Sequence, residues 1–186
     1  RRIWTAAIMY RKNEILAVQT LRNMVMGASL MASTAMLILF GFVGFMATIA
    51  SHVQEALVSA QPANMNWTFH FVLDDYFGSK AVIFILFIYS FFCFTQSIRF
   101  YNHAAMVVNV NVTDSELRTL PPDALPSFNT LSPTKVSDIL NRGALFYTLG
   151  MRGYYLSFPA LVWLWGPYPL LVASVMLAIV LRFIDY

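Results

Sequence analysis

One uncharged apolar run in this sequence is too long for an ordinary soluble helix. Residues 24–50 read MVMGASLMASTAMLILFGFVGFMATIA and include neither a charged residue nor a proline. As an α-helix this run would be about 40 Å long, whereas the hydrocarbon core of a bilayer is about 30 Å thick. The polar segment QTLRN directly precedes it and marks where lipid would begin. The run therefore predicts a membrane-spanning helix.

The overall composition agrees with a membrane location. Hydrophobic residues make up 59% of the 186 residues and charged residues only 11%, against about a quarter charged in a typical soluble domain. The net charge of +3 is too small to indicate nucleic acid as a partner. The single cysteine, Cys93, excludes an internal disulfide and indicates no cysteine metal site. We expect one helical domain over residues 1–186, with the lipid bilayer as a partner.

The first 23 residues have the periodicity of an amphipathic helix. Apolar residues from Ile3 to Leu21 recur at three- and four-residue steps, with basic residues between them. A basic helix of this kind either lies on an anionic membrane surface or continues into the first span. Continuation is favoured, because neither glycine nor proline separates Gln19 from Met24.

Three further apolar segments predict three further spans. Residues 81–105 form one of them, and residues 144–184 are divided by the segment WGPYP into two. We interpret these two as a helical hairpin, since a single kinked helix of that length would far exceed the membrane thickness. The predicted fold class is an all-α polytopic transmembrane bundle with four spans, at about residues 24–50, 81–105, 144–165 and 169–184.

The segments between these spans are predicted to lie outside the membrane. Residues 51–80 contain Pro62, Gly78 and paired acids that break the apolar periodicity, although residues 52–60 are compatible with a short surface helix. Residues 109–134 are rich in proline and polar residues and are expected to be mostly irregular. Pro133 then indicates a helix start, and residues 136–142 predict a short helix along the membrane surface.

The basic residues sort to one side of the membrane in the four-span model. Eleven of the twelve lysines and arginines fall on the side of the N-terminus and only Lys80 falls on the other. Lysine and arginine are enriched in the loops that are not translocated. The basic side is therefore expected to face the cytosol, stroma or matrix, and the choice among chloroplast, mitochondrial and other membranes stays open.

Small residues and arginine–amide pairs are the two candidate sets of functional residues. Ala28, Ala32 and Ala35 share one side of the first span, where small side chains let neighbouring helices approach closely in lipid. Two segments share the pattern Q-[S/T]-[L/I]-R, which places an amide and a guanidinium on one helix face. The candidate anion or lipid-headgroup cluster consists of Gln19, Arg22, Asn23, Gln96, Arg99, Asn102, Asn141, Arg142 and Arg152. The favoured alternative is that these residues cap the spans and satisfy one another.

Arg152 differs from the other cluster members because it lies about eight residues inside an apolar segment. An arginine at the centre of a membrane helix costs at least about 2.5 kcal/mol unless it is paired or hydrated. We therefore expect a partner for it, and the candidate acids are Asp138, Asp185 and Glu14. Structural pairing and a functional pathway are equally compatible with the sequence.

The sequence shows no recognisable catalytic set. His52, His70 and His103 have no metal-ligand spacing, and neither a phosphate-binding glycine loop nor a G-x-S-x-G motif occurs. We therefore expect neither an enzyme nor a bound cofactor or metal.

Six stretches follow one another across nearly the whole chain: NEILAVQTLRN, MGASLMAST, QSIRF, NRG, GMRGYY and LWGP. In this order they resemble a multi-pass membrane family of plants and bacteria that is catalogued as domain of unknown function five-nine-nine. The resemblance implies a helical membrane fold and a further apolar segment before Arg1. It implies no established activity.

Two functions from different classes are compatible with these features. The first is a non-catalytic accessory or scaffold subunit that docks with protein partners in a larger membrane complex. The second is a small transporter or channel for an anionic solute or lipid, with Arg22, Arg99, Arg142 and Arg152 as its binding groups. A membrane enzyme is the least favoured.

Overall fold

The computed structural model describes residues 2–11, 14–59, 67–108 and 133–185, and regular structure there is entirely helical. The helices are α1 (Arg2–Arg11), α2 (Glu14–Ser59), α3 (Trp67–Val108), α4 (Pro133–Val162) and α5 (Pro167–Asp185). A short 3-10 helix, Trp163–Trp165, lies between α4 and α5. The all-α class predicted from the sequence is confirmed for this part of the chain.

Proline and glycine set the boundary between the last two helices. Gly166 has φ +125° and ψ 173°, and its N–H donates to the carbonyl oxygen of Trp163 at 2.9 Å. This conformation is open to glycine but strained for other residues, and Pro167 then begins α5 because a first-turn residue needs no N–H partner. Residues 144–184 therefore form two helices, as predicted, rather than one continuous kinked helix.

Several predicted connections are helical instead. Helix α2 continues to Ser59 and α3 begins at Trp67, so much of the predicted loop at residues 51–80 is helix. A single glycine such as Gly78 costs a helix only about 1 kcal/mol relative to alanine, which a long helix tolerates. The predicted surface helix at residues 136–142 is the beginning of α4, and Gly143 does not end it. Of the predicted loop at residues 109–134, residues 109–132 lie outside the described residues, and residues 133–134 begin α4 instead.

The N-terminal prediction is confirmed in part. Helix α2 begins at Glu14, so the polar segment before the first apolar run continues into that run without a break. Helix α1 is a separate element in the described residues, with Lys12 and Asn13 outside them. Of the predicted apolar face, Ile8 and Leu21 are buried, whereas Ile3 and Ile15 are exposed.

Two of the described helices, not four, are long and apolar enough to cross a membrane. They are Ile15–His52 and Lys80–Val108, each with a mean hydropathy of 2.1 over its most apolar part. Helix α4 does not qualify, because Arg152 and several tyrosines and glycines dilute its apolar residues. In α5 the apolar part is Pro167–Phe183, which is only about 25 Å long as a helix. Length and composition therefore support two spans among the described helices and do not show the four that the sequence predicts.

The chain divides into two compact units, each with its own core. The first unit comprises residues 1–32 and 92–149. Its core joins residues from four helices: Ile8, Ala17, Leu21, Tyr101, Ala104, Val108, Val136 and Leu140. Helix α1 thus contributes Ile8 to a protein core, with Trp4 packed against it.

The second unit comprises residues 33–91 and 150–186. Its core consists of Leu39 and Phe42 of α2, Ile83 and Phe87 of α3, and Ala160 of α4. None of the described α5 side chains, residues 167–183, is buried. Helix α5 therefore presents most of its apolar surface outward.

The two long apolar helices bury only one narrow stripe each. Buried positions of α3 step by three or four residues from Ile83 through Phe87, Ser90, Phe94 and Ser97 to Tyr101, the spacing of a packed helix seam. Only 22% of the apolar window of Ile15–His52 and 33% of that of Lys80–Val108 are buried. The core helix of a soluble protein would be mostly buried, so this surface has the pattern of helices that contact lipid.

Candidate ligand-binding cavity

The first unit contains an open cavity of about 380 Å³ between three helices. This volume lies near the lower end of the range of volumes that small-molecule binding sites in proteins have. Of the described lining residues, four belong to α2, one to α3 and one to α4, and all six are uncharged: Thr20, Asn23, Met24, Gly27, Tyr101 and Tyr147. The α2 residues recur at positions i, i+3, i+4 and i+7, so they form one helix face. This face is polar at Thr20 and Asn23 and apolar at Met24 and Gly27.

The polar side chains of the cavity differ in what they can offer a ligand. The hydroxyl of Thr20 donates its proton to the carbonyl oxygen of Leu16 at 2.8 Å. Only its lone pairs remain for a further hydrogen bond. Asn23 carries two donors and one acceptor, and Tyr147 carries a hydroxyl. Neither makes a side-chain hydrogen bond within the described part of the chain.

Two aromatic rings and one glycine shape the cavity. The ring of Tyr147 packs edge-on against Phe94 with 5.6 Å between centroids. Tyr101 is buried in the core of the first unit. A Cβ atom added at Gly27 would meet no atom within 4 Å, so this position opens onto free space.

Close contact between α3 and α4 fixes Tyr101 in place. The hydroxyl of Ser97 donates to the backbone carbonyl of Gly143 at 2.8 Å, and both residues are buried. A Cβ atom at Gly143 would lie 2.9 Å from Cε1 of Tyr101. The two helices approach this closely only because residue 143 has no side chain.

The second unit has an equivalent close approach between the same two helices. A Cβ atom at Gly153 would overlap the hydroxyl oxygen of Ser90. The next residue, Tyr154, packs edge-on against Phe87 at 5.8 Å between centroids and shares a 2.8 Å hydrogen bond with Thr34. These contacts join α2, α3 and α4 within this unit.

The comparison with protein-family models decides which family this sequence belongs to. A model described as "Protein of unknown function, DUF599" matches residues 1–186. The chain belongs to the DUF599 family. The resemblance seen in the sequence is thereby confirmed. No curated protein and no solved structure matches the chain.

The structure distributes the predicted arginine–amide cluster of this DUF599 chain over both units. Eight of its members lie in the first unit and Arg152 lies in the second. Every member is exposed except Gln96, which is half-buried. Asn23 is the member that lines the cavity, and no arginine is among the described lining residues. The predicted packing residues Ala28, Ala32 and Ala35 are all buried.

The expected acidic partner of Arg152 is not seen among the described side chains. Asp138 instead lies beside Arg2, with 3.7 Å between Nη2 and Oδ1, and both side chains are largely exposed. The side chains of Glu14 and Asp185 lie outside the described residues. Arg152 is itself exposed, so a partner from either of these acids stays a prediction.

The three histidines do not come together in the described part of this DUF599 chain. His52 is exposed, and its Nδ1 lies 3.8 Å from Oε2 of Glu55 on the same helix. His103 is exposed on α3, and His70 lies among the side chains that are not described. Within the described residues, no three histidine, cysteine or acidic side chains are grouped so that they could hold a metal ion.

Sequence reasoning identified one lining residue of the cavity and missed the other five. Thr20, Met24 and Gly27 lie on the helix face of Asn23, so helical periodicity was a sufficient signal for them. Tyr101 and Tyr147 belong to other helices. Which helix faces meet is not encoded in the periodicity of one sequence, so this pair gave no detectable signal.

Proposed function

We propose that this DUF599 protein is a multi-pass integral membrane protein that acts as a non-catalytic accessory or scaffold subunit of a larger membrane assembly. The observation that carries this proposal is the surface of α5. Large apolar side chains cover its exposed faces: Leu171, Val172, Val175, Met176, Ile179, Val180 and Phe183. An apolar surface of this extent needs lipid or a partner protein to cover it.

The membrane location is supported by α2 and α3 as well. Exposed side chains such as Leu30, Leu37, Phe40, Ile85 and Phe92 lie on the sides of these helices away from the buried stripes. In water, such side chains would make the protein aggregate. In a bilayer they contact lipid tails, which are equally apolar.

Helices α4 and α5 are proposed to cross the same membrane, which gives four crossings. Leu145, Leu156 and Phe158 are exposed on α4. Leu145 and Leu156 are eleven residues apart and share one face of the helix, which can contact lipid. Arg152 is exposed, so its guanidinium can extend toward a polar boundary or toward water inside the assembly. Four crossings also place eleven of the twelve basic residues on one side, in agreement with the positive-inside rule.

A scaffold role is supported by the way α5 packs. The inner face of α5 consists of half-buried residues at three- and four-residue steps: Leu170, Ala173, Leu177 and Leu181. The opposite face carries Val175 and Ile179 and is free to pack against a helix of another subunit. Membrane helices associate through such packing surfaces.

The scaffold proposal is tested by purification from native membranes in mild detergent. Val175→Trp places a bulky ring on the exposed face of α5, and Leu37→Trp makes the same change on the exposed surface of α2 as a control. We expect the same specific proteins to co-purify with the wild type and Leu37→Trp and to be lost from Val175→Trp. A wild-type protein that purifies alone, or identical partners for all three proteins, contradicts the proposal.

The alternative function is transport of an anionic solute or lipid. Its supporting observation is that Arg22, Arg99 and Arg142 are exposed in the first unit and make no ion pair with a described side chain. Guanidinium groups bind phosphate and carboxylate well. Anion flux into liposomes containing only this protein, abolished by Arg99→Gln, would favour transport over the scaffold role.

A further inference from the structure

The cavity of the first unit differs in chemistry from the arginine–amide cluster near it in sequence. Its six described lining residues carry hydroxyl, amide, thioether and aromatic groups but no charge. Among the described lining residues, an anion would find no cationic side chain and an ammonium group would find no carboxylate. The described part of the lining therefore favours a neutral ligand.

Thr20 adds a directional requirement. Because its proton is used in the hydrogen bond to the carbonyl of Leu16, its oxygen can only accept a hydrogen bond from a ligand. A ligand that carries only carbonyl or ether oxygens cannot donate that bond. A ligand with a hydroxyl group can, and Asn23 and Tyr147 can complete the binding of that hydroxyl.

The order of residues along α2 gives the orientation of the ligand. Thr20 and Asn23 belong to the polar segment just before the uncharged run, and Met24 and Gly27 belong to the run itself. Met24 is also exposed, so the apolar end of the lining continues into apolar surface. A molecule in this cavity would meet polar groups at one end and an apolar surface at the other, as an amphiphile does.

We propose that this cavity binds the uncharged, hydroxyl-bearing headgroup of a membrane lipid, such as the glycerol of a diacylglycerol or the sugar of a neutral glycolipid. Thr20 accepts a hydrogen bond from the lipid hydroxyl, Asn23 and Tyr147 bind its oxygens, and the acyl chains leave along Met24 and Gly27. The site rests on the proposed membrane location, but it requires neither a partner subunit nor transport.

The test uses the whole protein in a zwitterionic detergent without hydroxyl groups, because sugar-based detergents would compete for the site. Dioctanoylglycerol is titrated beside three relatives: its 3-acetyl derivative, dioctanoyl phosphatidic acid and a dioctanoyl monoglucosyl lipid. The acetyl derivative keeps the glycerol backbone and both octanoyl chains but has no proton to donate. We expect it to bind about fivefold more weakly than dioctanoylglycerol, the value of about one lost hydrogen bond.

Two variants assign the binding to this cavity. Gly27→Leu fills the cavity, and the open space at this position lets the protein keep its fold. Gly41→Leu on the same helix also meets no neighbouring atom and does not line the cavity. We expect Gly27→Leu to weaken dioctanoylglycerol binding at least about tenfold, or about 1.4 kcal/mol, and Gly41→Leu to leave it unchanged.

Thr20→Val provides a second readout that does not depend on filling the cavity. Valine has nearly the shape of threonine but no acceptor, so dioctanoylglycerol and its acetyl derivative should bind this variant equally.

The comparison of dioctanoylglycerol with the glucosyl lipid, both titrated against the wild type, identifies which neutral headgroup the site prefers. The lipid that binds more tightly carries the preferred headgroup.

The proposal is overturned by equal wild-type affinity for the hydroxyl and acetyl lipids, by tighter binding of phosphatidic acid, or by unchanged binding in Gly27→Leu. Flotation of the wild type with liposomes is measured in parallel. A protein that floats but binds none of the neutral lipids disproves the lipid site alone. A protein that does not float disproves the membrane location.

Discussion

The hydroxyl groups of Thr34 and Tyr154 lie 2.8 Å apart although 120 positions separate the two residues in the sequence. Thr34 belongs to α2 and Tyr154 to α4, and the ring of Tyr154 also packs edge-on against Phe87 of α3. One tyrosine thus contacts both of the long apolar helices within the second unit. Among helices surrounded by lipid, a hydrogen bond of this kind adds directional specificity to packing that is otherwise non-specific.

Removal of this hydrogen bond is predicted to destabilise the protein modestly. Tyr154→Phe keeps the ring contact with Phe87 and Thr34→Val keeps the shape of the threonine, so each loses little besides the hydrogen bond. We expect a loss of about 0.5–1.5 kcal/mol in unfolding free energy for each. Because both variants remove the same bond, the double variant should be less destabilised than the sum of the two. Additive losses in a double-mutant cycle would show that the two hydroxyls do not interact.

Gly143→Ala is predicted to destabilise the protein although alanine is the better helix former. The new Cβ would lie 2.9 Å from the buried ring of Tyr101 and 3.2 Å from Cβ of Phe100, so α3 and α4 would have to separate. Overpacking of this kind costs about 1–3 kcal/mol, which exceeds the gain of about 1 kcal/mol from helix propensity.

The matched control for Gly143→Ala is Gly41→Ala, whose Cβ would meet no atom within 4 Å. Thermal melting of the detergent-solubilised protein should show a lower midpoint for Gly143→Ala and an unchanged or higher midpoint for Gly41→Ala. A stabilised Gly143→Ala variant would mean that the two helices are not in close contact at this point.

Gly153→Ala is predicted to be destabilising for a reason that a second substitution can relieve. Its Cβ would overlap the hydroxyl oxygen of Ser90, which donates to the carbonyl of Leu86 at 2.9 Å. Rotation of the Ser90 hydroxyl away from the clash would break that hydrogen bond. Ser90→Ala removes the oxygen, so Gly153→Ala should cost less in the Ser90→Ala background than in the wild type. An equal cost in both backgrounds would contradict this contact.

The class of fold was predictable because it depends on local composition and periodicity. The uncharged run at residues 24–50 and the glycine–proline break at Gly166 can both be recognised from consecutive residues of the sequence. The structure has a helix at the first place and a helix boundary at the second. The lengths of α2 and α3 were underestimated, since loops were expected wherever polar residues interrupted an apolar run. A helix continues through polar residues when its backbone hydrogen bonds are intact, so polarity alone does not end it.

The contacts between helices were largely not predictable. Asn23 was identified because an amide next to an arginine has recognisable chemistry. Gly143 and Gly153 lie in the stretches NRG and GMRGYY, and their importance for packing becomes visible only beside Tyr101 and Ser90. Which residues of α3 meet which residues of α4 depends on long-range packing that one sequence without an alignment does not reveal.

The sidedness of the membrane crossings is tested most directly by cysteine labelling. Cys93→Ala gives a background without a thiol, and because Cys93 is buried the loss of its sulfur atom leaves a small cavity. Single cysteines are then placed at Lys80, Lys135 and Tyr168, the last two being exposed in the structure. Sealed membrane vesicles are treated with a thiol reagent that cannot cross the bilayer, before and after permeabilisation.

Four crossings predict that the cysteine at position 135 is labelled on one side and the cysteines at positions 80 and 168 on the other. Labelling of positions 80 and 135 from the same side would contradict a crossing by α3 and, with it, the sorting of the basic residues to one face of the membrane.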